Sequence, residues 1–358
     1  MNKNYYAVIM AGGVGTRFWP LSTQKLPKQF HDMLGTGSTL IQQTFNRFEN
    51  LIPSENILIA TNQKYKDLVK EQLPKVTSKQ LLLEPVMRNT APCILYSAFK
   101  IYNENPDGIM VIAPSDHWID DEKEFLKNIQ TSFNFCSENE ALMTLGIKPS
   151  SPNTGYGYIQ HNTSENNIKK VLNFTEKPNL ETAIQFLEEG NYLWNAGIFI
   201  WSVKSILKAF ETHLPTMHTL FSKGKNSYNT ASENTFIEEN YASSENISID
   251  FGIMEKATDV YVLPVEFGWN DLGTWGSLYD KLKKDKNRNA TVGGFVIYRD
   301  ASNNIVRTQS GKRVVIQGLK DFIVVEKDDV LLICPKSEEQ EIKQITAAVK
   351  TEFGDDFI

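Results

Sequence analysis

A chain of 358 residues, 41% hydrophobic and 22% charged, has room for one large domain and a small one. Its net charge of −6 excludes a general attraction to nucleic acid, so any phosphate site must be a local basic pocket in an acidic chain. No apolar run is long enough to span a bilayer, no leader precedes the first strand, and the three cysteines (Cys93, Cys136, Cys334) fit neither a zinc nor a disulfide pattern, so a cytoplasmic protein with buried thiols and no membrane partner is expected.

Tyr6 to Met10 is a short apolar run of the buried-strand type. It breaks into Ala11-Gly12-Gly13-Val14-Gly15-Thr16-Arg17. The glycines let the backbone turn and come close to a ligand, and successive N–H groups there can form an anion nest. Arg17 adds a bidentate cation, and Lys25 and Lys28 follow in a loop stiffened by Pro20 and Pro27. On chemistry alone this is a phosphate cradle or a tight turn with a solvated arginine. It is neither the ATPase loop nor the dinucleotide fingerprint, because no Lys follows the last Gly and the pattern is GGxG.

Strands and helices then alternate. Helices are expected over 37–48, 63–73 and 91–102, and strands over 56–60 and 79–83, which argues a doubly wound, mostly parallel sheet. In such sheets ligands sit at the carboxyl ends of strands. The third strand ends in Glu84-Pro85-Val86-Met87-Arg88-Asn89-Thr90, a polar cluster that either faces a ligand or caps the next helix. The strand over 108–113 ends in Pro114-Ser115-Asp116-His117, where Asp116 reads as a metal ligand or a helix cap.

A helix is expected over 122–136 and a strand over 142–147. A glycine-aromatic loop over 149–158 follows, with Gly157 allowing close approach, here to a sugar. The strand over 168–175 ends in Glu176-Lys177-Pro178, by default a surface ion pair. Asn195 opens an apolar strand, and residues 204–246 read as helical and polar with a soft patch, SKGKNSYNTASENT. Asp250 caps a helix or belongs to a site. Asp271 sits among glycines after the strand over 260–264. From residue 291 the texture becomes short β-rich pieces with a terminal helix from Glu338. The expected domains are therefore 1–285 and 286–358.

GGxGTRxWPLS followed by PKQF, then EPxxRNTAP, PSDH, FxEKP, SIDxxxMEK and WxDxGxW in order, resembles the sugar-1-phosphate nucleotidyltransferase family. The version with Trp19 and Pro27-Lys28-Gln29-Phe30 resembles its members that use GTP and mannose 1-phosphate. The resemblance implies a Rossmann-like, GT-A-like catalytic domain with a small β-helix-like domain behind it. It implies catalytic roles for Arg17, Lys28 and Lys177. The nucleotide falls to Ala11, Gly12, Gly13, Gly15, Thr16, Arg88, Asn89, Thr90 and Ser115, with Glu84 expected to accept from the N1–H and N2–H₂ of guanine. The sugar falls to Gly157, Glu176 and Asn195. Asp116 and Asp271 are the implied ligands of Mg²⁺. A homodimer through the β appendage is a further expectation. The same motifs would serve another sugar 1-phosphate or base. A D-x-D glycosyltransferase is disfavoured, because His117 and Trp118 follow Asp116, and a regulatory relative is disfavoured, because the loop arginine and both aspartates are present.

Overall fold

The apolar run ahead of the glycines is a strand, β1 (Tyr5–Ala11), buried along nearly its whole length. The computed structural model describes residues 1–358. β1 is followed by α1 (Leu40–Glu49), β2 (Ile57–Asn62), α2 (Lys66–Gln72), β3 (Leu81–Glu84), α3 (Thr90–Glu104) and β4 (Ile109–Pro114). Then come α4 (Glu122–Glu138), β5 (Leu142–Ile147), β6 (Tyr158–His161), β7 (Lys169–Thr175), α5 (Leu180–Glu189) and β8 (Tyr192–Ser202). α6 (Val203–His213), α7 (Pro215–Ser222), α8 (Glu233–Asn240) and β9 (Val260–Val265) complete a nine-stranded sheet of order β3-β2-β1-β4-β8-β5-β9-β7-β6. One compact unit, residues 1–12, 44–115 and 119–269, holds it.

The α/β class stands, but the sheet is mixed. β3, β2, β1 and β4 are parallel neighbours, as is the pair β5 and β9. β8 runs antiparallel to both β4 and β5, and β6 and β7 pair antiparallel. A buried apolar run such as Ile198–Trp201 reports burial on both faces and carries no direction, so the expectation of a mostly parallel sheet holds only for the first half. The soft patch is also corrected. Tyr228 within it is buried, and the carboxylate of Glu233 at its end accepts from Lys100 Nζ at 2.8 and 2.7 Å and from the Tyr96 hydroxyl. A buried, fully paired carboxylate holds a polar stretch in place, because losing a partner would leave a charge desolvated.

A second compact unit is built from residues 13–43, 116–118 and 270–358. It contains α9 (Trp275–Lys281), entered through a Thr274/Ser277 capping box, and six short strands. These are β10 (Ala290–Val292), β11 (Phe295–Arg299), β12 (Ile305–Arg307), β13 (Arg313–Gln317), β14 (Phe322–Lys327) and β15 (Val330–Pro335), followed by α10 (Ile342–Phe353). β10, β12 and β14 stack in parallel, as do β11 and β13, so the chain winds as a short β-helix that β15 closes antiparallel to β14. The core of this unit joins Phe18, Trp19 and Met33 of the basic loop to Leu272, Trp275, Ile305 and Ile342. Half-buried Arg307 pins the loop to β12, donating to the carbonyls of Met33 at 2.8 Å and Asp32 at 2.6 Å. The compact units thus divide the chain differently from a cut at residue 285, since the basic loop packs with the C-terminal segment.

Candidate active site

The cleft is built inside the second unit. Gly15 has φ +72°, and a Cβ there would stand 2.6 Å from Lys28 Cβ, so backbone conformation and close approach both require glycine. Lys28 N–H donates to the Val14 carbonyl at 3.3 Å, which folds the loop back on itself. Arg17 follows in a short 3₁₀ turn, Thr16–Phe18, with the Phe18 ring buried against Trp275.

Trp118 and Asn270 exchange backbone hydrogen bonds of 2.8 and 3.0 Å. That bridge sets Asp116, two residues before it, beside Asp271, one residue after it. Asn270 Oδ1 then accepts from Leu272 N–H and Asp271 Oδ1 from Gly273 N–H, two successive side-chain turns that carry Leu272 to φ +46°. A bulky residue at positive φ is backbone strain, held here beside a candidate ligand.

Lys28 is buried, and its Nζ donates to Asp116 Oδ2 at 2.9 Å and to the Asp271 carbonyl at 2.9 Å. Burial acts to raise the Asp116 carboxyl, but the neighbouring charges of Lys28 and His117 outweigh it and hold the group below its ordinary value. These residues line a cleft of about 290 Å³, together with Gly15, Thr16, Arg17, His117 and Gly273. The carboxylates of Asp116 and Asp271 offer oxygen ligands only, which fits a hard divalent cation that keeps waters and phosphate oxygens in its remaining positions. Two features around the cleft carried no sequence signal. Lys343 of α10 reaches the cleft, and Gln340 Oε1 accepts from Arg17 Nε at 2.9 Å.

A second cluster forms in the first unit. Asn195 lies where β5 and β8 slip register, a bulge that re-aims its side chain. Its Oδ1 accepts from Thr144 Oγ1 at 3.0 Å and Gly197 N–H at 3.1 Å, and its Nδ2 donates to Asp250 Oδ1 at 3.0 Å. Burial first, and then the nearby charge of Glu176, push the Asp250 carboxyl up to about 6. Glu176 is paired with Lys177, which stands at φ +47°. A Cβ on Gly157 would fall 2.5 Å from Glu176 Oε2, so glycine here lets that carboxylate come close to the backbone. Gly157, Glu176, Lys177 and Asn195 are therefore together, with Asp250 as the added member.

The loop after β3 is anchored through its polar side chains. Arg88 Nη2 donates to the Ala242 carbonyl at 2.7 Å, Asn89 Nδ2 to Asn246 Oδ1 at 2.8 Å, and Thr90 Oγ1 accepts from Ile249 N–H at 2.9 Å. These side chains anchor the 242–249 segment that leads to Asp250. Glu84 is buried, accepts from the Tyr241 hydroxyl, and lies 3.8 Å from where a Gly12 Cβ would be. Tyr241 thus engages one oxygen of the Glu84 carboxylate, and the other lies beside Gly12. Ser115 is buried, with its N–H on the Met10 carbonyl, and the Ala11 carbonyl accepts from Thr61 Oγ1, so both are held through the backbone.

Burial pushes the Glu84 carboxyl up to about 7 despite the hydrogen bond from Tyr241. The folded state therefore holds this proton more tightly than the unfolded chain, and stability present below the ordinary carboxylate range is lost as pH rises through about 7. Glu84→Gln keeps an acceptor for Tyr241 and removes the charge. Thermal melts at about pH 5 and pH 8 should show this variant gaining stability relative to the parent at the higher pH. An equal difference at both pH values would mean that Glu84 does not titrate there.

The family described as Nucleotidyl transferase matches residues 6–288, and the family described as MannoseP isomerase/GMP-like beta-helix domain matches residues 294–348. Among curated relatives, the mannose-1-phosphate guanylyltransferase of Salmonella montevideo is 36% identical over 96% of this chain and 74% of its own length. That of Escherichia coli is 34% identical over 96% and 75%. The xanthan biosynthesis protein XanB of Xanthomonas campestris is 35% identical over 96% and 73%. Among solved structures, a Thermus thermophilus protein described as a mannose-1-phosphate geranyltransferase superposes with a TM-score of 0.88 at 30% identity, covering 97% of this chain and 99% of that one.

Proposed function

The chain belongs to the nucleotidyl transferase family, and from that premise we propose that it converts GTP and α-D-mannose 1-phosphate to GDP-mannose and diphosphate. Relatives about a third identical over nearly the whole chain carry that activity in their names. The observation that carries the site assignment is the common cleft: Arg17, Lys28, Asp116 and Asp271 come from three separated motifs and line one pocket.

An oxygen of the sugar phosphate attacks the α-phosphorus of the nucleotide, a new P–O bond forms, and the bond to the β-phosphate bridging oxygen breaks in line to release diphosphate. The attacking oxygen is already ionised, so no protein nucleophile is needed. Burial pushes the Cys93 and Cys136 thiols up, away from thiolate character. What the protein supplies is positioning and charge neutralisation. In this proposal the backbone of Gly12, Gly13 and Gly15 cradles the triphosphate, with Thr16 beside it. Arg17 and Lys28 meet the charge that develops on the leaving diphosphate. Lys177 orients the attacking phosphate, and Gly157, Glu176 and Asn195 hold the sugar. The family works with a divalent metal; we assign Mg²⁺ to Asp116 and Asp271, where it would neutralise phosphate charge. Residues 1–285 form the catalytic domain and 286–358 the small β domain in this scheme, and the loop of Arg88, Asn89 and Thr90 shapes the nucleotide end through the segment it anchors.

The test is diphosphate release with Mg²⁺, mannose 1-phosphate and each of GTP, ATP, UTP and dTTP. Release with GTP alone is expected. Release with a different nucleotide would overturn the base assignment, and no release with any would overturn the reaction.

A further inference from the structure

Five cationic or acidic side chains line the cleft besides His117, and only some of them are committed to one another. Lys28 is bound to Asp116 and to the Asp271 carbonyl. Arg17 spends its Nε on a neutral amide, Gln340. The remaining cation is Lys343, in the first turn of α10, exposed on the cleft wall with no ion pair. A nucleoside triphosphate brings several negative charges, more than Arg17 and Lys28 carry between them.

The placement of Lys343 is built. Ile342 beside it is fully buried in the core that includes Phe18 and Trp275, with Ile345 and Val349 packed against the same core. The ends of the segment are tied to the loop and to α9. Glu339 Oε2 accepts from Gly276 N–H at 2.9 Å, and the Phe357 carbonyl accepts from Trp19 Nε1 at 2.6 Å. Lys25 pairs with Asp356 at 3.1 Å. A lysine in the first turn of a helix also opposes the helix dipole, so the helix gains nothing from this charge. The position makes sense for a group that answers an external anion.

We propose that Lys343 contacts the phosphate oxygens of the diphosphate half of the nucleotide, so that the C-terminal helix completes the catalytic cleft in cis. This rests on the nucleotidyl-transfer reading above and adds a residue to it. Lys343→Ala places the best helix former at an exposed site, so the fold should survive. Loss of one charge-assisted hydrogen bond corresponds to a fall of about 10- to 100-fold in kcat/KM for GTP. The KM for the sugar phosphate should stay as in the parent, a split that a general structural defect would not produce. Calorimetric titration of the Mg²⁺-loaded protein with inorganic diphosphate should show weaker binding by a similar factor, and Lys343→Arg should restore most of both.

An unchanged kcat/KM for GTP together with unchanged diphosphate affinity in Lys343→Ala would overturn the proposal. Equal loss toward both substrates, with a lowered melting temperature, would overturn it in favour of a structural role. An inactive parent protein is a different result, since it would remove the reaction and not this residue's place in it.

Discussion

Arg17→Ala should lower turnover by about 10²–10³ while leaving the protein folded, the usual effect of removing one preorganised charge-stabilising group. The packing of the loop is done by its neighbours: Phe18 and Trp19 are buried, while Arg17 itself is only partly covered. The guanidinium is held from one side by Gln340 through Nε, which leaves the Nη edge to meet an oxyanion in the cleft. Charge on the leaving diphosphate grows during the reaction, so the loss should fall on kcat more than on KM for GTP. Arg17→Lys keeps the charge and loses the fork, and should recover only part of the rate. Steady-state diphosphate release with a parallel melting curve checks this, and near-normal turnover in Arg17→Ala would remove the residue from the mechanism.

Asp116→Asn should cost a comparable factor, about 10²–10³ in turnover, with a shift of the Mg²⁺ titration to higher concentration. The choice of substitution matters because Asp116 has a structural partner. Its Oδ2 accepts from buried Lys28 at 2.9 Å. Asn retains an acceptor for that ammonium, so the stability loss should stay within about 1.5–3 kcal/mol, the range for a hydrogen bond to a charged group. Asp116→Ala leaves Lys28 with the Asp271 carbonyl alone and should melt at a lower temperature than the Asn variant. Activity against metal concentration separates the effects. A parental metal midpoint in Asp116→Asn would mean that Asp116 is a partner for Lys28 and nothing more.

The sequence carried local chemistry well. Gly15, Arg17, Lys28, Asp116 and Asp271 were legible because each stands in a short run whose residue types suit phosphate or a hard cation. Strand and helix positions were legible because burial and turn residues leave periodic marks. Partners distant along the chain were not. Lys28 meets Asp116 across 88 positions and Asp271 across 243, and no local pattern encodes such a pairing. The role expected of Glu84 came from its place at the tip of β3, and no local pattern told that Tyr241, 157 positions on, bonds one of its carboxylate oxygens. The direction of β8 was hidden for a related reason, since an apolar run looks the same from either end. Lys343 looked like any solvated helix lysine, because what distinguishes it is the wall it stands on.

The Arg17–Gln340 bond spans 323 positions. At typical synthesis rates, a ribosome needs roughly 15–60 s to travel that distance. Through that interval the nascent chain carries a glycine loop whose arginine lacks its amide partner, while Lys28 and Phe18 wait a shorter time for Asp116, Asp271 and Trp275. A half-made chain therefore has the means to fold its first four parallel strands and none to close its cleft. Arg17 gains its Gln340 partner, and the cleft its Lys343 wall, only once the C-terminal segment has been made.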